Sequence, residues 1–192
     1  ELQPGLPMRA LGLHVNVTEP RGRLLEPMIQ HIGRRLTLKQ AYNGTFIIGG
    51  GWPARKAPGR WTTTWDSAAG NAAVAVDVIP ALATAPVSER ASGLPTWTPD
   101  GRHILGFAPE IEGYVVLAGC NECCVTHGPG LARIAAELVT TGRTDTDISA
   151  YRVDRFADPG DDAIQAAAES QYLMRHPPEA GVAATPFGIE LP

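Results

Sequence analysis

Apolar and polar residues alternate over residues 11–17, with Leu11, Leu13, Val15 and Val17 on one face and His14 and Asn16 on the other. That period of two predicts a β-strand, stopped by Thr18-Glu19-Pro20. Residues 25–31 fit either a short helical or an extended crossing. Two further runs, 36–41 and 45–48, flank Tyr42-Asn43-Gly44 and predict a hairpin, with Asn-Gly supplying the positive φ angles of a tight turn. Gly49-Gly50-Gly51 ends the second strand and is followed by Trp52. Glycines there permit a bulge, with a surface tryptophan beyond it, or a ligand close to the backbone, in which case Gly50 and Trp52 would bind substrate. A helix is expected from an N-cap at Asp66 or Ser67 as far as Ile79, where Pro80 stops it. A strand over 89–92 then leads through Gly93-Leu94-Pro95-Thr96-Trp97 into the turn Thr98-Pro99-Asp100-Gly101.

The C-terminal part changes character. Residues 103–106 predict a short strand, and the continuous apolar run 114–118 is typical of a buried one. Gly128-Pro129-Gly130 opens a helix over 131–141, with Leu131, Ile134, Ala135, Leu138 and Val139 on one face. Residues 144–156 read as irregular, then extended; 161–175 is alanine-rich and helical, and a proline-punctuated tail follows. The expected class is α+β, an antiparallel or mixed sheet with packed helices over 1–110. A strand–helix unit over 111–156 would belong to a different sheet, and 157–192 would be a C-terminal helix and tail.

Hydrophobic content of 44% and charged content of 19% are those of an ordinary globular domain, and 192 residues suffice for a real core. A net charge of −4 with no basic run gives no case for nucleic acid. No apolar run reaches the roughly eighteen residues of a bilayer span. Glu1-Leu2-Gln3-Pro4-Gly5 lacks the charged and apolar regions of a signal peptide and reads as the middle of a chain. The three cysteines all fall within 120–124, an odd number packed too tightly to staple a fold, which points to a reduced, cytoplasmic setting.

The strongest chemical pointer is the succession of Thr98-Pro99-Asp100-Gly101, Gly119 and Gly128-Pro129-Gly130. A strand that ends on glycine and runs into a helix start gathers unpaired backbone N–H groups, where donors and helix dipole together favour negative charge. These residues resemble the C-terminal half of the FAD-dependent amine and amino-acid oxidoreductases, the family of glycine oxidase, D-amino acid oxidase and the sarcosine oxidase β subunit. The resemblance spans 6–156 and is most specific over 93–142. No G-x-G-x-x-G follows an early strand, so the dinucleotide-binding half would come from another chain or segment, in a hetero-oligomer.

The resemblance implies a sheet domain covering a flavin and forming the substrate pocket, with 111–156 returning to the FAD domain. It implies oxidation of the C–N bond of a small amino acid or secondary amine by hydride transfer to FAD. The residues matching the site that stabilises the reduced flavin's charge are Thr96, Gly119, Asn121, Cys124, Val125 and Thr126. Four positions depart from the family. Cys124 stands at a glycine, and Pro95 where glycine oxidase has an arginine for the substrate carboxylate. Gly93 stands where monomeric sarcosine oxidase carries the cysteine bonded to FAD, and Ile47 where that enzyme has its oxygen-activating lysine. Ile47 implies a dehydrogenase passing electrons to an unidentified acceptor rather than an oxidase. The alternative is a non-catalytic module of this fold that binds a small molecule or a protein.

Cys120-x-x-Cys123-Cys124-x-x-His127 offers four ligands in eight residues and admits zinc or an iron–sulfur cluster. Structural zinc sites, however, draw ligands from two separated segments, so no metal is expected. Small residues lining a tight loop account for the cluster, and a reactive thiol is a third reading. His14, His31 and His103 suit structural or exposed roles; His127 is the best placed for chemistry, and Asp100 suits a turn former.

Overall fold

The structure is a computed structural model that describes residues 5–156 and 160–176. The expected tail lies outside these residues beyond His176. Along the chain come β1 (Arg9–Ala10), β2 (Leu13–Thr18), β3 (Ile29–His31), β4 (Leu36–Gln40), β5 (Phe46–Gly49), β6 (Arg55–Ala57) and β7 (Arg60–Thr62). Then follow α1 (Trp65–Val78), β8 (Val87–Gly93), β9 (Thr96–Trp97), β10 (Ile104–Phe107), β11 (Val115–Ala118), α2 (Cys124–Thr141) and α3 (Asp161–Arg175). The class is α+β, with antiparallel sheets. No helix among the described residues is long and apolar enough to cross a membrane. Two compact units form, one from residues 11–94 and 173–176, the other from 5–10 and 95–172.

The first unit is built on a five-stranded sheet of order β3-β4-β5-β2-β8, with β6 and β7 as a separate ribbon. Helix α1 packs on one face over Leu36, Leu38, Phe46 and Ile48. The alternation expected at 11–17 is present, but the buried side of β2 is the polar one. His14, Asn16 and Thr18 are buried; on the opposite face Leu13 is buried too, while Val15 and Val17 are only half-buried. Hydrogen bonds make this tolerable. Asn16 Nδ2 donates to Ala68 O at 3.0 Å and to Asn71 Oδ1 at 3.1 Å, and Asn71 Nδ2 donates to Gly49 O at 2.9 Å. Thr18 Oγ1 accepts from Phe46 N at 3.0 Å.

Local chemistry also shifts several boundaries. The 25–31 crossing is extended where it forms β3. In the β4–β5 turn only Gly44 has a positive φ, 89°; Asn43 acts through its side chain, which accepts from Thr45 N at 3.1 Å. Helix α1 is capped by Thr64, which accepts from Ser67 N at 3.2 Å. Asp66 and Ser67 are therefore inside the helix, and Ser67 Oγ donates to Pro53 O at 2.7 Å.

In the second unit β1 pairs with β9, and β10 with β11, both antiparallel. Trp97 is buried with Tyr172 edge-on against it, ring centroids 6.1 Å apart. The run 114–118 is not buried throughout: among the described residues β11 pairs only with β10, and Leu117 is 46% exposed. Helix α2 starts at Cys124, not at 131, and Pro129 lies inside it. Of its expected apolar face only Leu138 is buried, and Val139 is 69% exposed. Residues 149–155 fold into two 3-10 turns, Ser149–Tyr151 and Val153–Arg155, rather than an extended run. Arg155 Nη1 holds them by donating to Tyr151 O and Arg152 O, both at 2.9 Å.

Neither ring nitrogen of His14 has a hydrogen-bond partner among the described residues. Burial pushes its imidazole below the ordinary histidine value, Asn16 beside it opposes the shift, and the charge of Arg90 adds to it. The unfolded chain therefore takes up this proton first, so His14's contribution to stability is complete above about pH 6.5 and is lost as pH falls below that. Stability measured by unfolding should fall through His14 as pH drops below this point, by no more than about 1.4 kcal/mol per pH unit, the limit for a single group. His14→Leu should remove that slope, and equal slopes in the two proteins would refute it.

Candidate functional site

Strand β9 feeds a turn in which Gly101, at φ 68°, donates its N–H to Thr98 O at 3.2 Å. Asp100 Oδ1 accepts from Arg102 N at 3.1 Å, and Arg155 grips the same carboxylate through Nε at 2.9 Å and Nη2 at 3.0 Å. Burial alone would raise the Asp100 pKa, but the Arg155 guanidinium, the Arg102 N–H and the Thr98 hydroxyl together hold it below the ordinary carboxylate value. The bidentate pair ties the turn to the 3-10 segment near Phe156.

The loop between β11 and α2 is fixed against this turn by Asn121, which is buried and left-handed at φ 45°. Its Oδ1 accepts from Thr98 N at 3.0 Å, its Nδ2 donates to Gly119 O at 2.8 Å, and its backbone N–H donates to Thr96 O at 2.8 Å. Thr96 Oγ1 accepts from Cys120 N at 3.0 Å. Gly119 stands at φ 70°, where a Cβ would lie 2.6 Å from Thr98 Cγ2, so only glycine lets the loop come this close.

Cys120 and Cys124 form a disulfide with Cα atoms 5.4 Å apart, while Cys123 stays outside it. So short a closed loop constrains only itself. The pairing adds a local tether to the loop and does not staple the fold. His103 and His127 meet through Nε2 and Nδ1 at 2.9 Å. No group of three or more histidine, cysteine or acidic residues among the described ones could hold a metal.

Cys123, the N-cap of α2, provides no side-chain cap. The first helical N–H with a backbone acceptor is that of His127, to Cys123 O at 3.0 Å. The N–H groups of Cys124, Val125 and Thr126 donate to no carbonyl among the described residues. Beside them lies a cavity of about 280 Å³ lined by Thr96, His103, Gly119, Cys120, Cys124 and Leu131. A helix N-terminus with three open donors beside such a cavity suits a flat ligand that carries negative charge at one edge.

The structure thus brings Thr96, Gly119 and Cys124 to one cavity. Asn121 stands behind the loop with its side chain engaged in holding it, and Val125 and Thr126 are exposed on the first helical turn. Gly50 and Trp52 belong to the other unit, where packing accounts for them. A Cβ at Gly50 would lie 2.1 Å from Arg35 O. The Trp52 indole covers Gly70 of α1 and donates to Arg35 O at 2.9 Å, so it is not a surface tryptophan. The sequence marks Thr98 only as part of a turn and gives no sign of two long-range bonds, that of Thr98 with Asn121, 23 positions away, and that of Arg155 with Asp100, 55 positions away.

A family model described as "FAD dependent oxidoreductase" (DAO) matches residues 1–138. The chain belongs to this family. Mouse sarcosine dehydrogenase is 26% identical over 98 residues, 51% of this chain and 11% of that protein. The 4-methylaminobutanoate oxidase (formaldehyde-forming) of Paenarthrobacter nicotinovorans is 33% identical over 93 residues, 48% of this chain and 11% of that one. Among solved structures, L-proline dehydrogenase from P. horikoshii has the same fold at TM-score 0.67 and 22% identity, over 81% of this chain and 42% of that chain. The chain therefore spans about a tenth of those curated relatives and about two-fifths of that solved structure. FAD is the cofactor of the family, and the three open donors beside the cavity fit its redox-active ring.

Replacing Asn121 with alanine leaves the Thr98 N–H buried without its acceptor. Asn121→Ala should lower unfolding stability by about 2–3 kcal/mol in urea titrations. A loss below about 0.5 kcal/mol, the range of ordinary surface changes, would contradict the role given to this amide.

Proposed function

We propose that this chain forms the substrate-domain and closing strand–helix portion of an FAD-dependent enzyme that oxidises the C–N bond of a small amino acid or secondary amine. The observation that carries the reading is the start of α2, where three N–H groups stand open beside a cavity on a loop already fixed by Asn121. When bound, FAD supplies the hydride-accepting chemistry. The N–H groups of Cys124, Val125 and Thr126 would hold the negative charge that the reduced ring carries, with no reorganisation at the moment it forms. Thr96 and Gly119 would shape the approach. Ile47, an aliphatic residue on β5, supports a dehydrogenase rather than an oxidase.

The strand–helix portion also favours a missing neighbour. The outer edge of β11 pairs with no strand among the described residues. Around it α2 is largely open to solvent, with Val125 92% and Val139 69% exposed, and Leu117 of β11 itself is 46% exposed. An apolar strand with one free edge beside a half-covered helix suits completion by a parallel sheet, such as that of a dinucleotide-binding half. Residues 111–156 would then return to that half, supplied by another chain or segment.

Co-expression with the dinucleotide-binding portion of the 4-methylaminobutanoate oxidase tests this directly. A yellow complex is expected, with bands at about 370 and 450 nm that belong to the cofactor itself and that bleach anaerobically with an N-methylated amino acid. A colourless chain that does not associate would refute the reading and leave a non-catalytic binding module.

A further inference from the structure

The open face of the five-stranded sheet has an order that its packing does not explain. On β2 the polar side is turned to the helix, so Val15 and Val17 look the other way. An apolar face left half-covered is more informative than any single exposed side chain. The strand registers set one row across this face. Glu89 pairs with Val17, Val17 with Ile47, and Ile47 with Lys39, so an acid and a base close the two ends of an aliphatic pair. Three inter-strand steps place the Glu89 and Lys39 backbones about 14 Å apart. The Glu89 and Lys39 side chains make no ion pair among the described residues.

The neighbouring row deepens the floor. Val15 pairs with Ala91, and Gly49 with Thr37. A Cβ on Gly49 would stand 3.0 Å from Thr37 Oγ1 and 3.8 Å from Val15 Cγ2, so the glycine leaves a dip between them on this same face. Small residues in the middle, aliphatic carbons beneath and opposite charges at the two ends match a short ligand with opposite charges at its own ends.

Resting on the oxidoreductase reading, we propose that this row is a specificity site for a small zwitterion, with the ligand carboxylate held by Lys39, its ammonium by Glu89 and its carbon chain over Val17 and Ile47. A simple amine or a simple acid satisfies only one end. The site thereby selects amino acids over plain amines, and it does so without an arginine at Pro95.

The test is methyl NMR on the 192-residue chain, with 4-(methylamino)butanoate as the probe and butanoate and N-methylpropylamine as its singly charged counterparts. Saturable shifts of the Val15, Val17 and Ile47 methyls are expected with the zwitterion, and binding about fivefold weaker with either counterpart. Lys39→Met and Glu89→Gln should each weaken the zwitterion by a similar factor, and the exchange Lys39→Glu with Glu89→Lys should restore it. Equal response to all three probes, or none, would overturn the proposal. So would shifts that follow protein dilution, marking a second copy, or removal of residues 177–192, marking the chain's own tail. In the flavin-loaded complex, unchanged turnover of the zwitterion by Lys39→Met and Glu89→Gln would overturn this site and leave the oxidoreductase reading intact. Zwitterion binding here without any flavin complex would do the reverse.

Discussion

One buried amide organises the C-terminal unit. Asn121 satisfies the Thr98 N–H and the Gly119 carbonyl with its side chain, while its own N–H is taken by Thr96. A backbone at positive φ persists in a non-glycine residue only when its surroundings over-determine it, and here Asn121 and the following Glu122 both adopt that conformation. The consequence reaches past the loop itself. Because the loop cannot relax, helix α2 begins at Cys124 with its first donors unclaimed. Asp100 and Arg155 brace the turn on the far side of Thr98, so the platform under the helix start is held from two directions.

The sheet unit obeys a different constraint. Asn16 and Asn71 stitch β2 to α1 and to the end of β5, and this network turns the polar side of β2 inward. Its complement is an outward aliphatic face framed by Lys39 and Glu89. Helix packing and ligand recognition are thereby assigned to opposite faces of one strand. That division explains why a sheet so close to a helix leaves valines half-covered.

What the sequence made legible were the features governed by local chemistry. The hairpin over β4 and β5, helices α1 and α3, the Asp100 turn and the antiparallel α+β class follow from periodicity, proline and glycine. Features set by partners distant in sequence were not legible. Alternation places His14 opposite Val15 but cannot say which side meets α1, because that depends on Asn71, more than fifty residues away. The start of α2 was hidden for a related reason. Cys123 is a poor N-cap and Pro129 a strong start signal, yet the Thr96 and Asn121 bonds begin the helix before the proline arrives. At the site, the resemblance named three of the residues that line the cavity, Thr96, Gly119 and Cys124, whereas His103 and Leu131, the bonding role of Asn121 and the charged row across the sheet required the structure.

The central claim is that the start of α2 receives the charge of a reduced flavin. It is tested most directly by amide NMR of Cys124, Val125 and Thr126 in the flavin-loaded complex, before and after anaerobic reduction. The account predicts that these three N–H resonances move further downfield on reduction than any others of the chain, since they donate to the new negative charge. Three unmoved resonances beside a fully reduced flavin would contradict it.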